Sequence, residues 1–198
     1  MPAAKQESQG RRLLQVLLLN VGLSAGLLVA GIAANSSALI ANALDNASDA
    51  VVYGLSYFAV ARSQRRKATA ATVSGILLLV LAGGVVADVI RRFAAGSEPL
   101  GPVMIGMAVV AAAVNALSLK LLARDRRDDV NLRAAWTFSI NDLLSNLGTV
   151  VAGVLVQLLG RSWPDLVVGL LVAGVAASGG VEILRDAART RRAHAHPY

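Results

Sequence analysis

The stretch Asn42-Ala-Leu-Asp45-Asn46-Ala-Ser48-Asp49 lies inside a longer apolar run, residues 37–61. That run has the length that crosses a bilayer as a helix. At about 100° per residue, Asp45 and Asp49 lie about 40° apart, one turn from each other on one face. Asn42, Tyr53 and Ser56 fall on the same side. The segment is therefore an apolar rod with a continuous polar stripe. A carboxylate at the centre of a bilayer costs about 2.5–3.5 kcal/mol on insertion scales, so a pair of them calls for a reason.

Working outward, a second run repeats the device. In Asn141-Asp142-Leu-Leu-Ser145-Asn146-Leu-Gly-Thr149, helical spacing puts Asp142, Asn146, Thr149 and Gly153 on one face, with Ser145 at its edge. The remaining apolar runs complete a set of six spans at roughly 13–34, 37–61, 69–92, 102–124, 134–159 and 163–184. The run from Leu13 to Ala34 follows basic residues but is too long for the apolar core of a signal peptide. Asn35-Ser36-Ser37 supplies a tight polar turn after it. Gly96, Pro99, Gly101 and Pro102 break the chain between spans three and four, and residues 160–164 do so between five and six.

The chain has 198 residues and is 56% hydrophobic, which exceeds the share usual in soluble domains. Outside the spans too little chain remains for a soluble domain. The expected organisation is a basic N-terminal tail at 1–12, a six-helix transmembrane domain at 13–185 and a tail at 186–198. The fold class is an all-α integral membrane protein. Cysteine is absent, which excludes disulfides and thiolate metal sites. The net charge of +7 sits at span ends rather than on a face for nucleic acid. With the N-terminus in the cytoplasm, all of the 19 Lys and Arg fall on the inside except Arg91, Arg92 and Arg161. This asymmetry places both termini in the cytoplasm of a multi-pass membrane protein, here the bacterial inner membrane.

Counted in from opposite surfaces, Asp45, Asp49 and Asp142 reach similar depth. Three carboxylates do not stay ionised together in hydrocarbon without a counter-charge. A divalent cation is the simplest one, with carboxylate and amide oxygens as hard ligands. When the metal leaves, protons can take its place, which is the physical basis of a metal/proton antiporter. Helix packing is the competing explanation for any single aspartate among them. Asp88 lies near the outer end beside Arg91 and Arg92 and reads as an interfacial ion pair. Asn20 and Asn115 read as packing contacts between helices. The acidic residues Asp125, Asp128 and Asp129 read as a solvated loop, and His194 and His196 as a basic tail.

The segment from Ser37 to Asp49 resembles the second-helix signature of the cation diffusion facilitators, in which an Asp or His and an Asp four residues later bind the metal. Asp142-Leu-Leu-Ser145-Asn-Leu-Gly148, followed by Ala152-Gly153, is similar to their fifth-helix signature, and Trp163-Pro164-Asp165 to the opening of their sixth. The similarity runs from Asn20 to about Arg185. It implies a six-helix bundle, export of a divalent metal by proton antiport, alternation between inward- and outward-facing states, and a homodimer. The implied metal site is Asp45, Asp49 and Asp142, with Asn146 among the residues that could stand in for the family's fourth ligand. The transported ion is left open among Zn, Co, Fe, Mn, Cd and Ni, and no cofactor is implied.

The chain departs from the family pattern twice. The fifth helix usually carries His or Asp four residues before its Asp, where Phe138 stands here. A site without imidazole is harder, which weakens a zinc preference. The family's cytoplasmic C-terminal domain is expected to be absent. Two readings compete with a transporter: a non-transporting membrane scaffold or metal sensor, and a Mg-dependent membrane-embedded transferase using Asp45 and Asp49. No nucleophile, base and oxyanion set supports an enzyme.

Overall fold

A computed structural model describes residues 3–58, 64–123 and 130–195, and their side chains at 11–55, 68–121 and 142–189. Six helices follow one another: α1 (Ala3–Ala33), α2 (Ser37–Phe58), α3 (Gln64–Ala95), α4 (Gly101–Ala123), α5 (Val130–Leu159) and α6 (Trp163–Ala195). Among the described residues there is no strand. The all-α, six-helix class expected from the sequence is the one found.

The helix ends show which residues turn the chain. Asn35 takes a left-handed φ of 52° between α1 and α2. Gly96 (φ 79°) and Gly160 (φ 60°) do the same after α3 and α5, where a side chain would be strained. Gly101 and Pro102, read above as part of a break, instead open α4. Proline suits a first turn, where the missing N–H has no intrahelical acceptor to lose. The helices also run on into the terminal segments. Residues 3–12 continue α1 and residues 186–195 continue α6 as helix, because both are rich in Ala, Arg, Gln or Lys, which favour it.

Packing explains why the most polar helix can exist. α2 touches all five others. On one side Ala38, Leu39 and Ala43 join Leu23 and Leu27 of α1, Met104 and Ala111 of α4, and Ala152 and Val156 of α5. On another, Ala41 and Leu44 meet Leu78, Ala82 and Val85 of α3 and Val172, Ala173 and Ala176 of α6. α2 is thus the axis of the bundle, shielded from lipid by its neighbours. Leu18, Val29, Ile32, Val80, Phe93, Leu158 and Leu171 point outward as exposed apolar side chains, a surface suited to lipid rather than water.

Five helical stretches are long and apolar enough to cross a membrane: Arg11–Ala33, Ala68–Ala95, Gly101–Leu121, Asp142–Leu159 and Trp163–Arg189. α2 falls short of that composition because its stripe lowers its hydropathy. Its 22 residues still give about 33 Å of helix, enough for the hydrocarbon core. The backbones approach closely where glycines meet. A Cβ on Gly101 of α4 would stand 2.7 Å from the Gly153 carbonyl oxygen of α5, and one on Gly169 of α6 would stand 2.8 Å from the Ser37 backbone of α2. Small residues at crossings are how membrane helices gain contact when no hydrophobic force drives them together.

Candidate cation site

The stripe of α2 faces that of α5. Asn42, Asp45, Asn46, Asp49, Asp142, Asn146 and Thr149 are all buried, as is Tyr53. Asn42 Nδ2 donates to Thr149 Oγ1 at 2.8 Å and to Asn146 Oδ1 at 3.3 Å, which pins the two helices together. One turn further along α2, Ser145 Oγ donates to Asp45 Oδ2 at 3.4 Å. Thr149 in turn donates to the Ser145 carbonyl at 3.1 Å, and Asn46 Nδ2 to the Asn42 carbonyl at 2.9 Å.

Beyond this amide and hydroxyl layer the carboxylates gather. Asp142 lies beside both Asp45 and Asp49, close enough for a shared proton to bridge it to either. The Tyr53 hydroxyl is within hydrogen-bond reach of Asp49. Among the described residues, no Lys or Arg pairs with any of the three. Three acids from two helices are thus buried together with no basic side chain among the described residues to balance them. Asp49 Oδ2, Asn46 Oδ1 and Asn146 Nδ2 have no hydrogen-bond partner among the described residues. Among the described residues no three His, Cys, Asp or Glu are set out as a ready metal cage.

Every residue singled out for the site from sequence, Asp45, Asp49, Asp142 and Asn146, lies in this buried cluster. Ser56, Phe138 and Asn141 belong to α2 and α5, but their side chains lie outside those described, as does that of His194. Asp125, Asp128, Asp129 and His196 also lie outside the described residues. Asp88 is the ion pair expected: Arg91 donates to Oδ1 at 2.7 Å and Arg92 to Oδ2 at 2.5 Å.

A fourth buried acid, quoted above only within Trp163-Pro164-Asp165, lies apart from the cluster. Asp165, at the start of α6, accepts from Ser36 Oγ at 2.6 Å, Ser37 N at 2.8 Å and Ala38 N at 3.1 Å. It caps α2 from another helix. Ser36 Oγ itself accepts from Leu39 N at 3.1 Å, so two acceptors serve the free N–H groups of that terminus. Ser37 Oγ then donates to Asp88 Oδ2 at 3.2 Å, and Arg92 Nη1 to Asn35 Oδ1 at 3.4 Å. This network ties the ends of α2, α3 and α6 to the α1–α2 turn, at the end of the bundle opposite both termini.

The family model described as the cation efflux transmembrane domain matches residues 13–190. The chain is 24% identical over 172 residues to a cadmium, cobalt and zinc/H(+)-K(+) antiporter of Bacillus velezensis, covering 80% of this chain and 55% of that one. It is 27% identical over 194 residues to the zinc transporter ZitB of Escherichia coli, covering 91% and 62%. To the metal cation efflux system protein CzcD of Cupriavidus metallidurans it is 23% identical over 156 residues, covering 73% and 49%. The chain therefore spans about half to three-fifths of the length of these relatives.

Proposed function

From the premise that this chain belongs to the cation efflux family, we propose that it exports divalent metal cations from the cytoplasm in exchange for protons, through Asp45, Asp49, Asp142 and Asn146. The family is one of transporters, so a transferase reading of Asp45 and Asp49 falls away. The observation that carries the proposal is the burial of three carboxylates from α2 and α5 side by side with no basic partner among the described residues. Such a group is tolerable in hydrocarbon only when something positive occupies it.

Two occupants meet that need. Protons can bridge the acids in the gathered arrangement. A dication can replace them if the carboxylates turn their oxygens toward a common point and amide oxygens complete the shell. Since both use the same oxygens, binding of one expels the other, and their movements across the membrane are coupled by competition for the site. Asn42 and Thr149 hold α2 and α5 in register so that the exchange occurs at one place. The relatives named for zinc, cadmium and cobalt support this class of cargo. The basic side chains support an orientation with both termini cytoplasmic. Of the three Arg residues on the opposite side, Arg91 and Arg92 are paired with Asp88, which reduces the positive charge there further. Dimerisation through the exposed apolar faces belongs to the same proposal.

The test is metal flux in proteoliposomes carrying an opposed pH gradient. Asp49→Asn and Asp142→Asn each abolish uptake at unchanged expression, because each removes one charge that offsets the cargo. Asp88→Asn, away from the cluster, reduces it only mildly. Wild-type flux in either cluster variant refutes this site.

A further inference from the structure

Asn20 on α1 and Asn115 and Ser118 on α4 are each 1% exposed, and most of their side-chain polar atoms lack a partner among the described residues. Asn20 Oδ1, both Oδ1 and Nδ2 of Asn115, and Ser118 Oγ have no hydrogen-bond partner among the described residues. The one bond in the group returns Asn20 Nδ2 to the Val16 carbonyl of its own helix. The packing contact expected of these amides therefore leaves their donors and acceptors unserved. Polar groups are not left that way in a buried site without something polar to meet them.

Their place in the bundle says what they meet. Toward the outer end, Leu23 and Leu27 of α1 pack with Ala111 and Met104 of α4 and Ala43 of α2. Toward the other end, Val16 of α1 packs with Tyr53 of α2 and Leu121 of α4. Asn20 is one turn from both Val16 and Leu23, Asn115 one turn from Ala111, and Ser118 one turn from Leu121. Asp49, one turn from Tyr53 on α2, borders the same layer, with its Oδ2 also unpartnered. The unpaired atoms thus form a polar layer between two apolar ones, on the α1/α4 side of the carboxylates and toward the end that carries the termini.

We propose that Asn20, Asn115 and Ser118 form a second, hydrated station that holds a divalent cation with part of its water shell between the terminal side of the membrane and Asp49. The proposal rests on the transport reading and extends it to α1 and α4. An amide carbonyl and a hydroxyl are neutral hard ligands that hold a dication loosely. They suit passage, whereas the three acids suit capture. Water fills the layer between ions, and the four unpaired atoms supply the two to four partners an ordered water needs.

The chain has no cysteine, so single-cysteine variants report directly. Ser118→Cys, nearly isosteric, is expected to react in transport-competent proteoliposomes with a small, membrane-impermeant cationic thiosulfonate from the side carrying the termini. Zn²⁺ or Mn²⁺ is expected to slow that reaction. Asn115→Leu, similar in volume, is expected to lower flux on the order of tenfold while metal affinity of the purified protein falls less than about threefold. A folded Asn115→Leu protein with wild-type flux, or a Ser118→Cys protein that transports but does not react, overturns the station. Where Asn115→Leu fails to fold, the Ser118→Cys result decides alone. Wild-type flux in Asp49→Asn instead refutes the carboxylate site, so the two failures are told apart.

Discussion

Replacing Asp165 with alanine strips α2 of a cap that α6 provides. The carboxylate is fully buried and accepts three hydrogen bonds, two of them from backbone N–H groups of the first turn of α2. Those two donors cannot find intrahelical acceptors, since the first four N–H groups of any helix lack them. A buried donor left unmade costs about 1–3 kcal/mol, so two of them cost about 2–6 kcal/mol before any water enters the space. Ser36 Oγ loses its acceptor as well but keeps its bond from Leu39 N. A net loss of about 3–4 kcal/mol is the expected outcome once partial rehydration is allowed for. For a chain of this size that lowers the midpoint of thermal unfolding by roughly 10 °C. Asp165→Asn, which keeps one acceptor oxygen but turns an amide donor toward backbone N–H, falls by about half as much. The assay is thermal unfolding of purified protein in one detergent, followed by circular dichroism, with all three proteins side by side. An Asp165→Ala midpoint within about 2 °C of wild type refutes the claim that this carboxylate holds the α2 terminus.

Phe138 lies four residues before Asp142 on α5, so by helical register it shares that face. Phe138→His is expected to raise affinity for zinc relative to manganese, because imidazole suits Zn²⁺ better than an all-oxygen site does. It also introduces a pH dependence near the histidine range, about 6–7; unchanged zinc affinity in a folded variant, titrated at two pH values, contradicts this. Reporter fusions at Ser97 and after Tyr198 are expected on opposite sides of the membrane, with the Tyr198 fusion cytoplasmic; a Tyr198 reporter active only outside overturns the orientation.

Much of the bundle was legible because two signals in the residues are local. Apolar length marks a span, and helical period places Asp45 beside Asp49 and Asn146 beside Asp142 with no tertiary information. The pairing of Asn42 with Thr149 follows once two such stripes must hide from lipid. The central position of α2 was less plain. Its polarity, which lowers the case for a span, is a result of being enclosed by five neighbours, and enclosure is a property of the whole assembly. The role of Asp165 was hidden for a different reason. In sequence it stands only within Trp163-Pro164-Asp165 at the opening of its own helix, and Ser36 only within a polar turn. Only the close crossing at Gly169 brings the two termini into contact. Asn20 and Asn115 were read as packing contacts between helices. Hydrogen-bonding capacity is visible in a sequence, but whether it is satisfied is not.

The cap on α2 has a consequence for the making of the protein. Its acceptor lies 127–129 residues downstream of the groups it serves. Synthesis runs from the N-terminus, so α2 enters the membrane with Asp45 and Asp49 aboard while its first turn is still incomplete. The helix that carries most of the acids is therefore finished by a helix that emerges after all five of the others. A nascent chain halted after α5 has every carboxylate of the cluster but not the contact that secures the first turn of α2. Insertion of α6 is thus the step that completes the bundle, and the ribosome reaches it only after the rest of the site has been delivered.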